Sequence, residues 1–340
     1  MTESLSQPLL DELPAGWGAR QPDLGDIDAL VNLLHGYQRE AVGSSSVDAD
    51  AIAVEAAGVG SWTRRQVLVT DGNERIQAWA RVHDRAAGRT VVDVTVAAGA
   101  ERLASQLYRW AEGSALQIAQ LRQLNATQLD STAYAGDERQ RGWLADAGYR
   151  QTRTWLQMSR PVRSDEPLPA LRPGVSVRPV ATHDNGLPVA GDLQTVHQLL
   201  EESFADHFNS YRESFPEFVQ RLREDPGHRW DHWWIATVDI DAQPVPAGAV
   251  VSSVLPSDAS GARGSYVDYI GVHRRARGRG VAKALLHTVI ADAARRGRNR
   301  VGLEVDADSP TGADALYSSM GWQSKYRTES WHRTVQTLPG

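Results

Sequence analysis

Residues 271–286, GVHRRARGRGVAKALL, combine glycines and arginines in a spacing that suits the binding of an anion. Gly278 and Gly280 allow a turn in which successive backbone N–H groups converge. The amphipathic run that follows predicts a helix, whose first N–H groups lack intrahelical acceptors and form the positive end of its dipole. The sequence therefore predicts a diphosphate cradle at this junction. The cations that surround it are Arg275, Arg277 and Arg279.

Other interpretations of this basic segment are a solvated turn, a nucleic-acid patch and a Walker phosphate loop. A strand candidate that ends at Val272 and a long helix candidate that follows favour the anion site over a solvated turn. The net charge of −6 argues against nucleic acid as a partner, because non-specific affinity comes from many cations facing phosphates. No G-K-[ST] follows the glycines, which excludes a Walker loop.

The composition predicts a two-domain globular protein of the cytoplasm. A chain of 340 residues is longer than one hydrophobic core usually serves, and 41% hydrophobic with 23% charged residues is ordinary for a soluble protein. No apolar run approaches the roughly 20 residues of a membrane-spanning helix, and the first residues lack the features of a secretory signal, so no membrane partner is expected. The absence of cysteine excludes thiolate nucleophiles and cysteine zinc sites, and no metal is expected.

The elements that must position the cradle are predicted in a domain at residues 175–340. Periodicity and turn residues give the order β-α-α-β-β-β-α-β-α-β, which is typical of the α+β class. A segment rich in proline, at 161–174, is predicted to be a linker. The domain at 1–160 repeats the same order more faintly, which indicates a diverged internal duplication. In the segment of this first domain that corresponds to the cradle, Gly99 is the one glycine that remains. Glu101 is placed at the predicted helix start, where a carboxylate would repel a diphosphate.

The second half resembles the GCN5-related N-acetyltransferase (GNAT) family. The R-x-x-G-x-G pattern at 275–280, between YIGV and VAKALL, is similar to motif A of that family, and VGLEVDADSPTGADALYSSMGW is similar to its later strand, turn and helix. The resemblance covers roughly residues 174–335, and the first half only by its order of elements. It implies two tandem GNAT-like domains, each a mixed, mostly antiparallel sheet flanked by helices with a splayed central strand pair, the first of them degenerate.

The resemblance also implies residues that bind acetyl-CoA as co-substrate. Ile270, Gly271 and Val272 would be the strand edge that pairs with the pantetheine arm, and a glycine inside a strand is typical of a bulge or a close backbone approach. Ser309 stands where the family usually has asparagine. Tyr317 stands at the position of the general acid that protonates the departing thiolate. The pyrophosphate would be held by the segment that contains Arg275, Arg277, Gly278, Arg279, Gly280, Val281, Ala282 and Lys283.

The general base and the acceptor site have candidate residues in the second half of the chain. Strict alternation along the 265–272 strand puts Asp268 on one face with Tyr266, Ile270 and Val272, so Asp268 is either the base or a paired structural carboxylate. Polar side chains that bind the acceptor are predicted between the first two helices of the domain, at Asp206, His207 and Tyr211. Of the tryptophans at 233 and 234, alternation allows only one to line a pocket.

Together these features predict an acetyl-CoA-dependent transfer of an acetyl group to a primary amine of a small molecule, by direct attack and with one cofactor per chain. The alternatives are a non-catalytic acyl-CoA-binding regulator and, since the tandem layout is similar to theirs, a mycothiol-synthase-like acetyltransferase. A monomer or a homodimer is expected.

Overall fold

The structure is a computed structural model that describes residues 13–58, 61, 63–85, 88–204, 213–308 and 312–337. These residues form eight α-helices and twelve β-strands. The helices are α1 (Ile27–Val42), α2 (Ala49–Ala56), α3 (Ala104–Leu121), α4 (Glu138–Asp146), α5 (Ala190–Phe204), α6 (Phe215–Arg223), α7 (Val281–Arg295) and α8 (Ala313–Ser319). The strands are β1 (Gly18–Arg20), β2 (Arg64–Thr70), β3 (Ile76–Arg85), β4 (Arg89–Val96), β5 (Ala126–Tyr134), β6 (Arg150–Pro161), β7 (Val175–Pro179), β8 (His228–Ile240), β9 (Gln243–Leu255), β10 (Gly264–Val272), β11 (Arg300–Asp306) and β12 (Gln323–Gln336).

The described residues pack as two compact units. Unit 1 contains residues 13–156, 306–308 and 326–337, and unit 2 contains residues 157–305 and 312–325. The end of β12 therefore belongs to unit 1, and the end of β6 belongs to unit 2. The division into functional domains at 1–160 and 175–340 stays a prediction.

The sheet of unit 1 runs in the order β1-β2-β3-β4-β5, with β12 beside β5 and β6 beyond it. All its recorded strand pairs are antiparallel except β4 with β5, whose parallel register extends from Arg89↔Gln128 to Val91↔Asp130. Helix α3 packs on β3, β4 and β5, and its buried face includes Leu107. The core of unit 1 lies between this helix and the sheet.

The sheet of unit 2 runs β11-β10-β9-β8-β7, antiparallel except for β10 with β11. Helix α5 packs on one face of strands β9 and β10, and α7 packs on the other face. Adjacent residue pairs of the β9–β10 register accordingly contact different helices. Trp233 and Trp234 are both buried, so both serve packing. The α+β fold class that the sequence predicts is confirmed.

Local sequence explains where the helices that flank the site begin. Ser214 and Glu217 form a capping box, and Pro216 occupies the first turn of α6, where a missing N–H costs nothing. In α7 the apolar positions recur at helical spacing and the buried face includes Leu285 and Val289. None of the described helices is both long enough and apolar enough to cross a bilayer.

Candidate active site

Strand β10 pairs with β9 along its length but with β11 over only three residues. The parallel pairing with β11 starts at Ser265↔Val301 and ends at Val267↔Leu303, whereas the pairing with β9 continues to Val272. Main-chain groups of residues 268–272 on the β11 side therefore have no partner in that strand. An extended ligand could add to this free edge as a strand does.

The free edge begins at a β-bulge. The register of β10 with β9 shifts by one residue between Val267 and Tyr269, so Asp268 is the extra residue. The expectation that Asp268 shares a face with Ile270 and Val272 is wrong, because one added residue moves everything beyond it to the other face. Asp268 instead lies on the face that α5 and α6 cover.

The end of β10 leads into a loop that keeps the start of α7 open. Gly278 and Gly280 have φ of 79° and 86°, in the left-handed region that favours glycine, and no side chain caps the helix. The first i→i−4 hydrogen bond is donated by the N–H of Ala284 to the carbonyl of Gly280 at 3.0 Å. The N–H groups of residues 281–283 are thus left without intrahelical acceptors, which suits a diphosphate.

The arginines that the sequence places around this loop are solvent-exposed, and so is Lys283. Arg279 is held by the main-chain oxygen of Asp239, to which its guanidinium donates at 3.1 Å. Arg275 precedes the glycines, and its N–H donates to Nδ1 of His273 at 3.3 Å. Exposed guanidinium groups next to open N–H groups give the cradle the charge that a helix terminus alone lacks.

Arg172 is a further cation at the cradle. Its guanidinium donates to the carbonyl oxygen of Gly278 at 2.9 Å, and its Cδ lies 3.0 Å from where a Cβ on Gly280 would stand. Arg172 comes from the segment predicted to be a linker. Proline-rich composition gives no sign of a ligand contact, so the sequence offers no signal for this residue.

Tyr317 lies on α8 with only 8% of its surface exposed. Its ring packs edge-on against Trp322, with 6.0 Å between centroids, and its carbonyl accepts from the Trp322 N–H at 3.1 Å. Burial raises the pKa of the Tyr317 hydroxyl above its ordinary value. A tyrosine hydroxyl, with an ordinary pKa of about 10, already carries its proton at neutral pH, and burial strengthens this preference, so Tyr317 has a proton to donate.

The carboxyl of Asp268 is largely shielded from water, and this burial raises its pKa well above the ordinary value; the nearby Asp225 charge adds to the rise. The hydroxyl of Ser253 donates to Asp268 at 3.0 Å and opposes the shift. Arg221 also opposes it, but this guanidinium donates to both carboxyl oxygens of Glu213. A raised pKa makes the ionised form of this carboxyl a stronger base than an exposed aspartate.

Gly271 is required by a close approach of α5 to β10. A Cβ at this position would stand 2.9 Å from Oγ of Ser203 and 3.0 Å from Cδ2 of Leu200. The helix therefore explains this strand glycine without any ligand. The predicted contacts Ser309, Asp206, His207 and Tyr211 lie outside the described residues.

In unit 1, the corresponding position is the start of a 3-10 turn, Glu101–Leu103, that leads into α3, and a side chain of the chain itself occupies it. Gly99 has φ of 87°, and its N–H donates to a carboxyl oxygen of Glu101 at 2.9 Å. This N–H lowers the pKa of Glu101 below its ordinary value, and Arg139 at 3.7 Å adds a smaller effect. A carboxylate thus holds the position that an anionic ligand would take.

The fold and this site define a class of protein. Residues 193–322 match the model of the acetyltransferase (GNAT) family, and this segment contains β10, β11, the start of α7 and Tyr317. The similarity to the GNAT family thus lies in this segment, which is part of the second half of the chain.

Known proteins resemble the chain to different extents. A mycothiol acetyltransferase of Salinispora tropica is 32% identical over 184 residues, which are 52% of this chain and 54% of that protein, so the match spans about half of the curated relative. A GCN5-related N-acetyltransferase from Sphaerobacter thermophilus has a similar fold, with a TM-score of 0.74 at 23% identity over 96% of this chain and 98% of that one. A tandem GNAT protein from the clavulanic acid biosynthesis pathway gives 0.65 at 16% identity over 95% and 99%. Both structures share their fold with this chain.

Proposed function

We propose that the protein is an acetyl-CoA-dependent N-acetyltransferase that acetylates a primary amine of a small molecule, with unit 2 as the catalytic unit. The observation that carries the proposal is the free edge of β10, residues 268–272, which ends at the open start of α7. An anion cradle at the end of an unpaired strand edge matches a ligand with a diphosphate and an extended amide arm. The GNAT match over residues 193–322 supports the same function.

The residues present fit such a co-substrate. Gly278 and Gly280 add no side chains of their own at the approach to the helix start, and Arg172, Arg277 and Arg279 supply positive charge around it. When bound, acetyl-CoA supplies a thioester carbonyl that is open to attack by an amine. Orientation along the β10 edge would supply much of the acceleration, and its N–H groups can polarise a carbonyl.

Two residues are proposed to move protons. Asp268, with its raised pKa, accepts a proton from the attacking amine, directly or through water. Tyr317, which keeps its proton at neutral pH, donates to the sulfur that leaves. The raised pKa makes the ionised Asp268 carboxyl a stronger base, and Tyr317 can act as an acid because its hydroxyl is protonated at neutral pH.

A mycothiol acetyltransferase-like activity is the second candidate, and the relative from Salinispora tropica favours it. Its acceptor would be the amine of a glucosaminyl-inositol-cysteine precursor. The same unit, cradle and proton carriers would serve this reaction, so the two candidates differ only in the acceptor.

The test combines calorimetric titration with acetyl-CoA and a screen of amines that follows release of free CoA. We expect binding and turnover with at least one amine, and the glucosaminyl-inositol-cysteine precursor is included to decide between the two candidates. Tyr317→Phe should keep cofactor affinity and lower kcat about 100-fold or more, because general acid catalysis typically contributes that much. Absence of acetyl-CoA binding would refute the proposal, and binding without turnover on any amine would leave a regulator.

A further inference from the structure

Unit 2 contains a second basic region, at the opposite end of α7 from the cradle. A cavity of about 530 Å³ opens where the chain leaves α7 and where β8 and β10 begin. Its volume lies within the range of small-molecule sites. The charged and titratable side chains that line it are Arg229, Asp231, His232, Arg263, Arg296 and Arg298. Because α7 spans 15 residues, about 22 Å of helix separates this cavity from the cradle.

Arg298 is fixed at the cavity by two neutral acceptors. Its guanidinium lies 2.6 Å from Nε2 of His232, which is 1% exposed, and donates to the hydroxyl of Ser265 at 2.7 Å. Burial lowers the pKa of Arg298, and the charge of Arg296 lowers it further. A part-buried cation held by neutral groups is stabilised by an added negative charge.

Nearby carboxylates are already engaged with other groups. Asp231 contacts Nδ1 of His232 at 2.6 Å and accepts from Arg296 at 2.9 Å. Asp292 accepts from Arg296 at 2.7 Å and from Arg295 at 2.9 Å. Four guanidinium groups and one carboxylate, that of Asp231, therefore line the cavity.

Two of the arginines face the cavity without a recorded carboxylate contact. Arg229 is exposed and donates to the main-chain oxygens of Pro226 and His228. Arg263 is exposed on the segment that leads into β10. Guanidinium groups fixed from several directions suit an oxyanion, which they can bind in a bidentate manner.

We propose that this cavity binds a small oxyanion with at least two negative charges, through Arg229, Arg263 and Arg298. The site is separate from the cradle and does not depend on the acetyltransferase function. The ligand chemistry is that of a phosphate, a sulfate or a multiply charged carboxylate.

Calorimetric titration with inorganic phosphate, sulfate or citrate tests the proposal. The protein carries Gly278→Glu throughout, so that the cradle does not contribute an anion-binding event. We expect one binding event that the double substitution Arg229→Gln/Arg263→Gln weakens about ten-fold or more, since each removes a charge-assisted hydrogen bond. Both side chains are exposed, so folding should be retained, and circular dichroism checks this.

Arg295→Gln is the matched control. This side chain is 73% exposed, belongs to the last residue of α7 and pairs with Asp292, but does not line the cavity. Its substitution should leave anion affinity unchanged. The relative affinities of the three probes assign the ligand class. Absence of binding by all three at millimolar concentration, or equal affinity in the double variant, would overturn the proposal.

Discussion

One inserted residue in β10 changes the face of the sheet on which the side chains beyond Asp268 lie. Alternation in the sequence identified Asp268 as the carboxylate on an otherwise uncharged stretch of β10, and that identification needed no structure. The bulge could not be read from the sequence, because a one-residue register shift depends on pairing with β9 and not on residue type. The bulge has a chemical consequence. Asp268 lies on the α5 face, shielded from water, and accepts a hydrogen bond from the hydroxyl of Ser253.

Replacement of Asp268 by asparagine tests its burial through stability. A raised pKa in the folded state means that the folded protein holds a proton that the unfolded chain has lost, so the free energy of unfolding falls as pH rises from the ordinary aspartate pKa through the folded one. Asp268→Asn removes this dependence. We expect the Tm of the variant, relative to the parent, to increase with pH across that window. Asp184→Asn, at an exposed position, is the control, and parallel Tm curves for Asp268→Asn and the parent would contradict the expectation.

Elements with strong periodicity could be predicted, and those defined by packing could not. Helix α7 follows from its apolar stripe and from the stop at Gly297, and it is found at Val281–Arg295. Strand β5 has no apolar alternation to identify it, since Thr, Gln, Asp and Ser dominate ATQLDSTAY, yet it pairs with both β4 and β12. The role of Arg172 escaped prediction for the same reason: it depends on where the backbone of a distant segment passes.

The two helix starts offer a matched pair of substitutions. Gly278 and Gly99 both have positive φ, 79° and 87°, and a Cβ at either would meet no atom within 4 Å. Glutamate therefore imposes the same backbone strain, about 1–2 kcal/mol, at both positions. We expect Gly278→Glu to abolish acetyl-CoA binding, because its carboxylate faces the diphosphate, and Gly99→Glu to leave the affinity unchanged. Equal Tm losses with unequal affinities are the expected signature, and equal loss of binding would contradict the proposed cradle.

At the scale of the whole chain, the same order of elements occurs twice. The first half runs from β1 to β6 and the second from β7 to β12, and each contains one parallel pair that is joined over three residues, β4 with β5 and β10 with β11. The sequence indicates this duplication through the spacing of its helices and strands. It could not indicate that the end of β12 packs in unit 1, because that depends on pairing with β5.

The duplication leads to a prediction of stoichiometry. Both halves keep a helix start after a left-handed glycine, but the first binds the carboxylate of Glu101 there and lacks the arginines of the second. A helix dipole contributes typically 0.3–1 kcal/mol to an exposed charge, which is too little to hold a diphosphate, and the nearby Arg139 is paired with the carboxylates of Glu40 and Glu101. We therefore expect calorimetry to give one acetyl-CoA per chain, both for the parent and for Glu101→Gln, in which the competing carboxylate is gone. A value near two in the parent would show that unit 1 binds cofactor, and a rise from one to two in Glu101→Gln would show that this carboxylate alone keeps the site empty.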